Sequence, residues 1–160
     1  MRRFLTETPE GDMHAIDFGN PALEMAALWL HATGFNSMTY QSILAPLGLR
    51  TKVTALDMRG HGRTKLTADP KKLQSWHRYR DDVITFLERN TTRPVVIGGH
   101  SMGGCVALLV AGKRPDLVKG LVLVDPVIFS HRFYLIKHLF PFLGPFMRAG
   151  NQMSLSLIHI

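Results

Sequence analysis

The sequence predicts an α/β protein built on a mostly parallel sheet flanked by helices. Three observations carry this. Apolar runs recur at residues 25–32, 52–58, 93–99 and 118–125. Segments with helical spacing or helix-forming composition lie between them, at 38–48, 73–90 and 102–115. Strands that are apolar on both faces need cover on both faces, which alternating helices supply. The chain has 160 residues, 46% of them hydrophobic, enough for one sizeable core.

Taken in order, "MHAIDF" (13–18) alternates and stops at the turn "GNPA". "MAALWLHA" (25–32) is continuous and apolar. Together they are expected to form a hairpin leading into a buried strand. "MTYQSILAPLG" (38–48) has helical spacing, with Gly48 as its stop. "KVTALDM" (52–58) is the next strand and runs into "RGHG". "LQSWHRYRDDVITFLERN" (73–90) places Leu73, Trp76, Tyr79, Val83, Phe86 and Leu87 on one face of a helix. "RPVVIGG" is a strand, "MGGCVALLVAGKRP" a helix stopped at Pro115, and "VKGLVLVD" (118–125) a further strand.

Composition removes several function classes. The net charge is +7, but the 19 Lys and Arg are scattered and form no basic run interleaved with aromatics, so nucleic acid is not expected as a partner. Cys105 is the single cysteine, so no internal disulfide can form and a reducing, cytoplasmic setting is expected. "MRRFLTETPEGD" lacks the apolar stretch of a signal peptide. The most apolar stretch, 127–149, is broken by Arg132, Lys137, Pro141 and Pro145 and is not read as a membrane span. No cysteine and histidine spacing of a metal site occurs.

The chemistry concentrates in "VVIGGHSMGG" (95–104). Ligands bind beyond the carboxyl ends of strands in such a sheet, and Ser101 lies at one of those ends. A sharp strand-to-helix turn strains the serine, so Gly99 and Gly103 at i−2 and i+2 are expected to let strand and helix approach. The Met102 N–H then sits at a helix N-terminus, where the dipole favours an oxyanion.

Three motifs in this order resemble the α/β-hydrolase superfamily over about residues 13–126. "LHATGF" (30–35) resembles its His-Gly oxyanion loop, "DMRGHGRT" (57–64) its Asp-x-Arg-Gly-His-Gly loop, and "GHSMGG" (99–104) its nucleophile elbow. The resemblance implies Ser101 as nucleophile and Gly99, His100 and Gly103 as the elbow around it, with His100 in the variable position. It implies oxyanion donors on Met102 and Thr33. Ala32 departs from the usual glycine after His31, which leaves Gly34 as an alternative to Thr33. His31, Gly34, Asp57, Arg59 and His61 are expected to support these loops, and Cys105 to pack as a small apolar residue.

In this superfamily the acid and the histidine base follow the serine. After Ser101 the carboxylates are Asp116 and Asp125, and the histidines are His131, His138 and His159. Asp116 precedes a strand and so belongs at the opposite edge; Asp125 ends a strand at the catalytic edge and is the candidate acid. None of the three histidines stands in a convincing base position. The last six residues, "LSLIHI", are the translation of CTG TCT CTT ATA CAC ATC, which resembles a transposase-library adapter. Residues 155–160 are therefore expected to be non-native, residues 1–126 an N-terminal part of the hydrolase core, and the Phe-rich residues 127–154 the start of a cap. The resemblance implies a serine hydrolase acting on an ester or similar acyl bond. Its substrate would be a small molecule with an apolar acyl or aromatic part, and neither cofactor nor metal is implied. A non-catalytic ligand-binding member, a C–C hydrolase and a cofactor-free haloperoxidase are the alternatives.

Overall fold

The structure is a computed structural model that describes residues 1–69, 73 and 75–128. Met1–Ala68 and Trp76–Val127 form one compact unit. Asp69–Ser75 and Ile128–Ile160 form a second, in which the Leu73 N–H donates to the Asp69 carbonyl at 3.1 Å. The expected cap (127–154) and tail (155–160), with His131, His138 and His159, lie outside the described residues except for Val127 and Ile128.

The first unit is an open six-stranded sheet in the order β1-β2-β4-β3-β5-β6. Its strands are β1 Arg2–Thr8, β2 Gly11–Phe18, β3 Met25–Leu30, β4 Lys52–Leu56, β5 Val95–His100 and β6 Val118–Val124. Its helices are α1 Gln41–Leu47, α2 His77–Asn90 and α3 Met102–Lys113. β3 lies parallel to β4 and β5, and β5 parallel to β6. The predicted parallel α/β class is therefore present, with an antiparallel margin of β1 and β2.

The expected hairpin of 13–18 with 25–32 is corrected. β2 pairs with β1, from Arg2↔Asp17 to Thr8↔Gly11, and on its other edge with β4. β3 is apolar on both faces and takes a central place with parallel neighbours on both edges, which leaves β4 between it and β2. The predicted 38–48 helix divides into a 3-10 turn, Ser37–Tyr40, capped by Asn36, and α1. Gly48 ends α1 in right-handed backbone (φ −60°), so its role is space: a Cβ there would fall 2.8 Å from the Gly19 nitrogen. The 73–90 helix starts at His77 and buries Val83, Phe86 and Leu87, each worth about 1.5–3 kcal/mol of transfer free energy.

Two adjacent glycines of β5 show how the faces are divided, since consecutive strand residues point to opposite sides. A Cβ on Gly98 would meet the Trp29 ring at 2.5 Å, on the side where Ile16, Phe18, Tyr40 and Leu44 cluster. A Cβ on Gly99 would meet Gly103 of α3 at 2.3 Å. The carboxyl ends of β3 and β5 emerge side by side, with Leu30 opposite Gly99.

Candidate active site

β5 passes into α3 through one residue, Ser101, with φ 51° and ψ −115°. Among the described residues only Ser101 and Asp125 combine a side chain with positive φ. Such a conformation costs on the order of 1–3 kcal/mol and persists where the surroundings enforce it. Here the Ser101 N–H donates to the Val124 carbonyl of β6 at 2.9 Å, and its carbonyl accepts from the Cys105 N–H at 3.2 Å. A Cβ on Gly103 would fall 2.3 Å from the Leu30 carbonyl oxygen, so Gly103 seats α3 against the end of β3 as well as beside β5. Met102 opens α3, and its N–H is one of the donors a helix start leaves without an intrahelical acceptor.

The loop after β3 faces this turn. Met58 N–H donates to Nε2 of His31 at 2.9 Å, so Nε2 carries no proton; the proton on Nδ1 goes to the Ala32 carbonyl at 2.8 Å. Both ring nitrogens are engaged, and burial pushes the His31 pKa down to about 4, which removes it as a base. The Ala32 carbonyl also accepts from Phe35 N–H at 3.1 Å, closing a tight turn in which Gly34 has φ 77°. The Ala32 N–H is spent on the Tyr40 hydroxyl at 3.0 Å. A planar trans peptide points the Thr33 N–H away from the anchored Ala32 carbonyl. Thr33 Oγ1 donates to Met102 Sδ at 3.3 Å, which brings this peptide to the first residue of α3.

The loop after β4 backs both. The buried Asp57 carboxylate accepts from the Ser37 and Arg63 N–H groups at 2.7 and 2.9 Å and from His14 Nδ1 at 2.8 Å. Burial alone would push its pKa up; these hydrogen bonds outweigh that and hold it below the usual carboxylate value. Arg59 bonds both Asp82 oxygens (2.7 and 2.6 Å), the Thr67 carbonyl (2.6 Å) and Glu10 (3.0 Å). His61 donates from Nδ1 to the Arg59 carbonyl at 2.9 Å, and its ring lies 4.9 Å from that of His31. His14, Tyr40 and Asp82 carry no motif, and sequence reasoning missed them.

Residues 25–155 match the family described as Serine aminopeptidase, S33. The chain belongs to this family of α/β-hydrolases. It is 32% identical over 132 residues to pheophytinase, chloroplastic, of Arabidopsis thaliana, covering 65% of this chain and 27% of that protein. It is 31% identical over 106 residues to monoglyceride lipase of Homo sapiens, covering 63% and 34%. Among solved structures, a thioesterase domain from the curacin biosynthetic pathway superposes with a TM-score of 0.73 at 22% identity, over 86% of this chain and 52% of that one. A membrane phospholipase A superposes at 0.71 and 22% identity, over 86% and 45%. The chain thus spans about a third or less of these curated relatives and about half of these structures.

In this α/β-hydrolase chain the carboxylates after the elbow separate cleanly. Asp116 sits in the turn Pro115–Leu117 before β6, exposed and paired with Arg114, away from the elbow. Asp125 follows β6 directly, one residue past the carbonyl that holds Ser101 N–H, with φ 43°. Cys105 is buried and donates to the Val127 carbonyl at 3.0 Å. Among the described residues no group of three or more His, Cys, Asp or Glu is arranged to hold a metal, and no helix is long and apolar enough to cross a membrane.

Proposed function

We propose that the protein is a serine hydrolase that cleaves an ester or related acyl bond through an acyl-enzyme. The observation that carries this is the enforced positive φ of Ser101 between β5 and α3. It sets a hydroxyl at the sheet edge, and we assign the two oxyanion donors to Met102 N–H at the head of α3 and to Thr33 N–H, whose side chain reaches Met102 Sδ. Ser101 Oγ attacks the carbonyl carbon, and its proton passes to a histidine supplied from outside the described residues. The carbonyl oxygen takes the negative charge and is met by the Met102 and Thr33 N–H groups, each expected to contribute roughly 10²–10³ in kcat. The tetrahedral intermediate collapses, the leaving oxygen takes the proton back from the histidine, and water repeats the sequence on the acyl-serine.

The family match and relatives named as lipases support acyl chemistry. Phe35, 44% exposed on the oxyanion loop, supports a substrate with an apolar acyl or aromatic part. Asp125 is the described carboxylate that follows the elbow in sequence and lies on this edge. Its replacement by Asn tests it: a loss of about 10⁴ in kcat makes it the partner of the base, and a near-normal rate moves that role to later residues.

The deciding experiment uses the uninterrupted gene product. A fluorophosphonate probe labels the wild type and not Ser101→Ala. Equal labelling of both removes Ser101 as the nucleophile.

A further inference from the structure

We infer that His100 is a positioning residue for the oxyanion loop, acting through a hydrogen-bonded chain from His100 Nδ1 to the Tyr40 hydroxyl to the Ala32 N–H. The inference rests on the assignment of the Thr33 peptide to the oxyanion site and adds what holds that peptide in register with the elbow.

The chain follows from the strand geometry. Gly98 and His100 of β5 point to the same face, that of Trp29 and Tyr40, while Gly99 faces α3. The Trp29 and Tyr40 rings lie 5.3 Å apart, and the His100 ring stands edge-on to Tyr40 at 6.1 Å. The elbow's variable residue is therefore turned into the packed side of the sheet, against the 3-10 turn that follows the oxyanion loop. Tyr40 is buried, and its hydroxyl lies 3.0 Å from Ala32 N and 2.9 Å from His100 Nδ1.

Donor and acceptor capacity sets the direction at the amide, and the His100 tautomer sets it at the imidazole. An amide can only donate, so Ala32 N–H occupies a lone pair of the Tyr40 oxygen. In the tautomer of His100 that carries its proton on Nε2, Nδ1 takes the phenol proton, and the proposed chain is built on that tautomer. Burial raises the Tyr40 pKa, which keeps that proton in place.

The two peptides flanking Ala32 are thus held from different directions. The Ala32–Thr33 peptide is held by His31 and Phe35 at its carbonyl, and the His31–Ala32 peptide by Tyr40 at its N–H. Without His100 the phenol proton has lost its partner, the hydroxyl turns to find another, and Ala32 N–H loses a fixed acceptor. A linked chain of this kind is stronger than its separate bonds. A shift of about 1 Å in the oxyanion amide is expected to cost on the order of 10²-fold in rate.

The test compares Tyr40→Phe, His100→Leu and His100→Asn in the uninterrupted gene product. Asn keeps a side-chain acceptor near the Nδ1 position; Leu does not. Tyr40→Phe and His100→Leu should lower kcat roughly 10- to 100-fold with KM moving less than about threefold, and His100→Asn should recover most of the loss. Hydrogen exchange of the Ala32 amide supplies a readout that needs no turnover. It should speed up about tenfold in Tyr40→Phe and His100→Leu and stay near wild type in His100→Asn. A wild type without turnover would sink the hydrolase reading and leave the exchange comparison to decide the chain. His100→Leu with wild-type Ala32 exchange, or His100→Asn as impaired as His100→Leu in both readouts, overturns the inference.

Discussion

Replacing Gly103 by alanine puts two opposed effects of known size on one position. Gly103 lies in the first turn of α3, where alanine is the better helix former by up to about 1 kcal/mol. The new Cβ would also fall 2.3 Å from the Leu30 carbonyl oxygen, 2.6 Å from its carbon and 2.8 Å from the His31 oxygen. Non-bonded contacts settle near 3.5 Å, so α3 and the end of β3 must part by about 1 Å. Every atom in the way is backbone, and β3 is paired along both edges, so neither side swings clear. Overpacking of this kind costs roughly 1–3 kcal/mol and outweighs the propensity gain. Gly112 is the control: it lies in the same helix, and a Cβ there meets nothing within 4 Å. In the uninterrupted gene product, Gly103→Ala should lose about 1–2 kcal/mol in urea unfolding and Gly112→Ala should match or exceed wild type. Gly103→Ala should also slow fluorophosphonate labelling by about 10²-fold, because the same displacement separates the Met102 and Thr33 amides. A Gly103→Ala protein as stable as Gly112→Ala, labelled at the wild-type rate, would refute the close-approach argument.

Three further outcomes are expected. His31 is neutral and buried with a pKa of about 4 against 6.5 in its unfolded form, so the unfolded chain takes up the extra proton first as pH falls. Stability from this group is full above about pH 6.5 and falls by about 3 kcal/mol toward pH 4; urea midpoints of wild type and His31→Gln should differ in slope across that window, and parallel slopes would exclude His31. Ser101→Gly should be more stable than Ser101→Ala by about 0.5–2 kcal/mol, because release of the positive-φ strain exceeds the entropic cost of glycine; calorimetry ranking Ala above Gly would show that the turn is unstrained. Among the described residues the outer edge of β6 pairs with no strand, and Val122 and Val124 are about half exposed. The 160-residue chain should therefore self-associate, and Val122→Lys should lower its apparent mass in sedimentation; an unchanged distribution would place the contact elsewhere.

The parallel class was legible because buried strands leave continuous apolar runs, and the elbow because its glycines bracket a serine between a strand and a helix. β1 was not: "RRFLTET" is mostly charged or polar, as an outermost strand can be, and it buries only Thr6 fully. The pairing of β2 was misjudged because nearness in sequence favours a hairpin, while β3's two apolar faces demand the sheet centre. Asp57 and Arg59 stood out by their motif, yet their partners His14, Asp82 and Glu10 come from separate elements and share no spacing. The tautomer of His31 and the reach of His100 to Tyr40, 60 positions away, depend on which strand face a side chain takes. Only a solved pairing order supplies that.

The strand order also has a temporal side. β3 ends at Leu30, and its partner residue on β5 is Gly99. At a synthesis rate of about 5–20 residues per second, Gly99 is made on the order of 3–15 seconds after Leu30. During that interval β3 has been made but one of its two edges has no mate. The nascent chain thus exposes a row of unpaired backbone groups in its most apolar strand. Slowing translation between residues 31 and 94 would prolong that exposure, and a ribosome-associated chaperone that grips short apolar stretches would find its best foothold at 25–30.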